Sequence, residues 1–173
     1  TGKGIIGRNY TDHHTILGAT GYFDVKKFNS FIGTGAWGSA YNDFNADNFD
    51  HKGLDFIHGG QIEMHLFGNE PISNNPVPPG TPMWGKEFKE KSLHYYHRTI
   101  TVVSQRAFLP YKENYLSLDP TYKDEYGDPL LRVTFDYKEM DFKRQEFLSQ
   151  KCVEILEEMG ASTVAAHPMA EKF

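Results

Sequence analysis

The chain has 173 residues, 39% hydrophobic and 14% aromatic, with a net charge of −5 and a pI of about 5.9. That suffices for one domain with a sizeable core; it excludes a disordered chain and argues against a nucleic-acid binder, which needs a basic face. The single Cys152 excludes an internal disulfide and a cysteine-built zinc site, and no apolar run approaches the ~18 residues that cross a bilayer.

Thr1-Gly2-Lys3-Gly4 carries neither an initiator Met nor a signal-peptide pattern. The start reads as that of an excised domain, and localisation stays open. Residues 1–12 are glycine-rich without helical period. His13 to Phe23 mixes β-branched and aromatic residues with Gly18 and Gly21, and predicts a bent or bulged strand. Residues 29–60 mix glycine, aromatics and Asn/Asp without period, which predicts a long ordered loop, either functional or held by a neighbouring surface. Gln61 to Phe67 alternates as a strand does. The prolines of 68–85 predict a loop. Lys86 to His97 has roughly helical spacing, and the β-branched run Arg98 to Leu109 predicts a strand.

Asn114 to Tyr137 reads as two strands joined by a loop of turn formers, Asp119-Pro120 through Gly127-Asp128-Pro129. In the second run Leu131, Val133, Phe135 and Tyr137 share one face, and Arg132, Thr134 and Asp136 the other. Phe142 to Met159 predicts the best helix, with Asp141 as N-cap, an apolar stripe at Leu148, Cys152, Ile155 and Met159, and a stop at Gly160. Ser162 to Ala166 closes as a short strand. Strands dominate, with two helices, so the expected fold is α+β with a mainly antiparallel sheet backed by helices, over a single domain 1–173.

No G-x-G-x-x-G follows a strand, and no P-loop is present. Asp43-Phe44-Asn45-Ala46-Asp47 starts like a calcium loop, then has Asn48 in place of the turn glycine and Leu54 in place of the bidentate Glu. Asn/Asp turn chemistry accounts for it better. His94 and His97 lack a third ligand, so no metal site is assigned. Arg132, Thr134 and Asp136 admit two readings: a solvated sheet face, or a polar surface for a hydroxylated substrate, with Tyr and Trp as stacking platforms.

Gly7-Arg8-Asn9-Tyr10-Thr11-Asp12-His13 resembles the GRNLxDH motif of the glucose–methanol–choline flavoprotein oxidoreductases. Gly18–Asp24, Asp47–His51, Pro79–Gly85 and Leu118–Tyr137 resemble one branch, the flavoprotein subunits of gluconate, sorbitol and fructose dehydrogenases. The resemblance implies the substrate-binding domain of an FAD enzyme that oxidises a CH–OH group of a sugar, sugar acid or polyol. It places Gly7, Arg8 and Asn9 on the flavin side and the catalytic His beyond Phe173. It implies FAD in the longer protein and none in this part alone. The implied partners are the FAD-binding domain, a small polyol or sugar, and a small subunit or a cytochrome. The alternative is a stand-alone carbohydrate-binding or subunit-assembly module.

Overall fold

The computed structural model describes residues 4–11, 17–28, 38–65, 76–106 and 108–168. Strands β1 (Leu17–Tyr22), β2 (Gly38–Tyr41), β3 (Gly60–His65), β4 (Thr99–Arg106) and β7 (Thr163–Ala166) form one sheet in the order β2-β3-β4-β1-β7. Strands β5 (Tyr115–Lys123) and β6 (Pro129–Thr134) form a separate two-stranded ribbon. All of these pairings are antiparallel, so the expected α+β class holds.

One helix does the backing. Helix α2 (Glu139–Glu158) packs against β1, β4, β7 and β3. Helix α1 (Gly85–Tyr95) buries no residue and touches the body through Tyr95, whose ring meets Tyr22 edge-on at 5.5 Å. The core of Ala19, Phe23, Ile62, Ile100, Val102, Leu148, Cys152 and Leu156 lies between the sheet and α2.

Polarity along β4 matches polarity along α2. Ile100, Val102, Ser104 and Arg106 run from apolar to charged and are all buried. On α2 the buried side runs the other way, from Asp141, Arg144, Gln145 and Ser149 to Leu148, Cys152 and Leu156. Arg106 therefore meets the first turns of α2, donating to Gln145 Oε1 and, at 3.5 Å, to the Asp141 carbonyl. Alternation that puts Ile100 and Val102 inward puts Arg106 inward as well.

Four sequence expectations need correction. Gly18 and Gly21 mark no bulge, since β1 pairs with β4 in unbroken register from Leu17↔Ser104 to Tyr22↔Thr99. A Cβ on Gly18 would lie 1.9 Å from the Val102 carbonyl oxygen, so this glycine permits close approach of two strands. Strand β2 falls within the expected 29–60 loop. All four of its residues are exposed and nothing alternates, so only its ladder to β3 defines it. Strand β5 continues through Asp119-Pro120 to Lys123, with an irregularity after Leu118. Asp141 is not the N-cap: it is the third residue of α2, and its Oδ2 accepts from the backbone N–H of Lys138 at 2.9 Å.

The predicted stop does hold. Gly160 has φ +82°, and bonds from Gly160 N to Glu157 O and from Ala161 N to Leu156 O close the helix at 2.8 and 3.0 Å. The described aromatics between residues 42 and 59 pack on α2. Phe56 is buried, and Phe44, Phe49 and Phe56 all contact Phe147 of α2 at 5.4–5.7 Å. Residues 29–37 and 12–16, on which parts of the expectations fall, lie outside the described residues.

Candidate functional site: a two-faced ribbon

The segment Gly7–Tyr10 runs antiparallel alongside β5. Leu116 N donates to Gly7 O at 2.7 Å, Tyr10 N donates to Asn114 O at 2.9 Å, and Arg8 stands opposite Tyr115. The ribbon thus gains a third segment, paired at one bridge, and the two groups of predicted site residues, far apart in sequence, come to flank β5. Gly7 is needed here for the backbone: its φ is +80°, and a Cβ would sit 2.3 Å from Leu116 O. Asn9 also has a positive φ, 58°.

Directly opposed residues of a ladder point to the same side. One side carries Arg8, Tyr115, Ser117, Arg132 and Thr134, because Tyr115 faces Thr134 and Ser117 faces Arg132. The Arg8 guanidinium lies over the Tyr115 ring at 4.6 Å, and Arg132 Nε donates to Ser117 Oγ at 3.2 Å. The other side carries Leu116, Leu118, Leu131 and Val133. Leu118, Leu131 and Val133 are 64%, 63% and 51% exposed.

Asp136 departs from the predicted trio. It lies two residues past the end of β6, with its carboxylate 3.9 Å from Lys138 Nζ. Its backbone is the anchored part. The fully buried Asn114 side chain accepts from Asp136 N at 2.9 Å and donates to Asp136 O at 3.2 Å. Asn114 so ties the start of β5 to the exit of β6, and Tyr10 meets Phe135 edge-on at 5.9 Å.

The cluster of Arg106, Asp141, Arg144, Gln145 and Tyr111 gave no sequence signal, because polar residues at helical spacing look like a solvated face. Arg144 Nη1 lies 3.4 Å from Asp141 Oδ1, with both side chains fully buried. Tyr111 OH approaches the same oxygen at 3.5 Å. Arg106 lies over the rings of Phe108 and Tyr137 at 5.5 and 5.2 Å. Burial pushes its guanidinium down to about 10, against the opposing pull of Asp141. This is an ion pair with aromatic cover, between sheet and helix.

The remaining candidates lie away from the ribbon. His51 Nε2 bonds His58 O at 2.8 Å, and His94 lies in the last turn of α1 while His97 lies beyond it. In the calcium-like loop Asn48 Nδ2 donates to Asn42 O at 2.7 Å, and Gln61 Nε2 to Asn42 Oδ1 at 3.1 Å. Among the described residues no three His, Cys, Asp or Glu converge for a metal ion. Gly2-Lys3-Gly4-Ile5-Ile6-Gly7 has dinucleotide-fingerprint spacing. Gly7 leads into the bridge between Arg8 and Tyr115 of β5 rather than into a helix, so it offers no helix N-terminus to a pyrophosphate.

Fold and ribbon together define an α+β body that carries a polar sheet surface on one side of an arm and a bare apolar surface on the other. The chain is 39% identical over 165 residues, 95% of its length, to the gluconate 2-dehydrogenase flavoprotein of Pantoea cypripedii. It spans 27% of that relative's length. The similarity is thus to one part of a flavoprotein dehydrogenase. No protein-family profile matches the chain.

Proposed function

We propose that the chain is the substrate-binding domain of an FAD-dependent oxidoreductase of the glucose–methanol–choline kind, acting on a CH–OH group of a sugar, sugar acid or polyol. The observation that carries this reading is the similarity, running over 95% of the chain, to a flavoprotein dehydrogenase of which it covers 27%. The two-faced ribbon supports it. A lone two-stranded ribbon is marginal in water, and exposed aliphatic residues on one side mark a surface meant to be covered. In this reading the apolar side packs on the remainder of a longer polypeptide. The polar side, Arg132 and Thr134 with Ser117 and Tyr115, faces the substrate.

In this reading the described residues do not make an FAD cradle, since Gly7 serves the pairing with β5. FAD, the hydride acceptor of such enzymes, is then held by the rest of the polypeptide, with Arg8 and Asn9 at its border. This chain contributes binding, orientation and exclusion of water. The group that takes the hydroxyl proton lies outside this chain.

A chimera tests the proposal: this chain replaces the matching 165 residues of the Pantoea relative. The expected product binds flavin and oxidises gluconate, another sugar acid or a polyol. The chain alone is expected to be colourless and inactive. A folded, flavin-loaded chimera that oxidises none of these compounds, or a chain that purifies with its own flavin and turns over, would overturn the proposal.

A further inference from the structure

Acidic residues outnumber basic ones 23 to 18 in this chain, yet the polar side of the ribbon pairs two guanidinium groups with hydroxyls. Arg8 and Arg132 stand on segments two apart, about 10 Å across at ordinary strand spacing. The hydroxyls of Tyr115, Ser117 and Thr134 belong to the same side. Neither guanidinium has an ion-pair partner among the described residues: Arg8 rests on an aromatic ring and Arg132 donates from Nε to a serine hydroxyl.

The nearby carboxylates are engaged elsewhere. Asp119 accepts from the backbone N–H groups of Thr121 and Tyr122 at 2.8 and 2.9 Å, and those bonds, more than the charge of Arg132, hold its carboxyl below the usual range. Asp136 faces Lys138. The bond to Ser117 fixes the plane of Arg132 and leaves its two Nη groups as a fork. Such a fork matches the two oxygens of a carboxylate.

We infer that the ribbon reads a carboxylate: the substrate end it takes is the acid group of a hydroxylated acid, held by Arg132 with Arg8 as a second positive charge, and its hydroxyls lie over Ser117, Thr134 and Tyr115. This rests on the reading that the polar side meets the substrate, and it selects a sugar acid over a neutral sugar or polyol.

The test is a backbone-amide NMR titration of the 173-residue chain with gluconate and with glucose at matched ionic strength. Gluconate is expected to shift the amides of residues 7–9, 115–118 and 131–134 saturably, and to bind about tenfold or more tightly than glucose, as a charged hydrogen-bond pair does. Arg132→Gln is expected to bring gluconate down to the glucose level. Arg132→Lys keeps the charge without the fork and retains part of the preference; Arg8→Gln has the smaller effect. Both arginines are exposed, and unchanged amides in β1 and β4 verify the fold. Equal binding of the two ligands, or a preference that survives Arg132→Gln, sinks the carboxylate assignment and leaves the substrate-domain reading standing. If neither ligand shifts a ribbon amide, the carboxylate assignment falls, and the chimera alone decides the substrate-domain reading.

Discussion

His167 leaves β7 with its backbone N–H bonded to Gly18 O at 2.8 Å and its Nε2 3.1 Å from the Thr20 hydroxyl. Burial holds this imidazole below its ordinary value of 6.5. The folded chain therefore favours the neutral ring. As pH falls below 6.5 the unfolded chain takes up a proton that the folded one resists, and stability declines until the folded value is passed. His167→Gln is expected to flatten that part of the profile. Urea unfolding at a series of pH values from neutral to mildly acidic checks this, and parallel profiles for the two proteins would refute it. Cys152 belongs to the same scale. Burial pushes its thiol up to about 12, so it behaves as a small apolar residue under α2 rather than as a nucleophile.

At the scale of elements, α2 joins two kinds of packing in one helix. Its C-terminal half buries Leu148, Cys152 and Leu156, and its first turns bury Asp141, Arg144 and Gln145. Asp141 serves both the helix start and the ion pair, accepting from Lys138 N at 2.9 Å and facing Arg144 Nη1 at 3.4 Å. Asp141→Ala removes the carboxylate that balances Arg144 and Arg106. The expected cost is about 3–5 kcal/mol, because a buried charge without its partner is costly. Asp141→Asn keeps an acceptor for the cap and is expected to lose less. Denaturant titration of both variants, with helix content followed by circular dichroism, decides this. A loss under about 1 kcal/mol for Asp141→Ala, the worth of a cap alone, would show the buried pair to be dispensable.

At the scale of the molecule, the body and the ribbon differ in what covers them. The sheet has α2 on one face, whereas neither β5 nor β6 packs extensively on another helix or strand among the described residues. Replacing Leu118 and Leu131 by Lys is expected to leave the unfolding free energy within about 0.5 kcal/mol, as for surface positions generally. The same change is expected to lower binding of an apolar dye and any self-association of the isolated chain. Light scattering and dye fluorescence measure both. In the chimera the pair is expected to reduce assembly of active enzyme. A chimera that tolerates two lysines on that face with full activity would show that nothing packs there.

Much of this was legible in the sequence, because local chemistry acts locally. The β-branched run of β4, the turn formers between β5 and β6, Gly160 after α2, and the motif resemblance around Gly7-Arg8-Asn9 all stand in the primary structure. Alternation placed Arg132 with Thr134 and Leu131 with Val133. Three things came only from tertiary structure. Gly7–Tyr10 and Tyr115 are over 100 residues apart, and a hydrogen-bond ladder alone brings Arg8 beside Tyr115. Strand β2 has no buried side to imprint a pattern. The polar start of α2 reads as solvent-facing until Arg106 arrives from β4 to meet it. A sequence records which residues prefer burial or exposure, but a pairing between distant segments depends on backbone geometry and on the charges and rings that arrive from elsewhere.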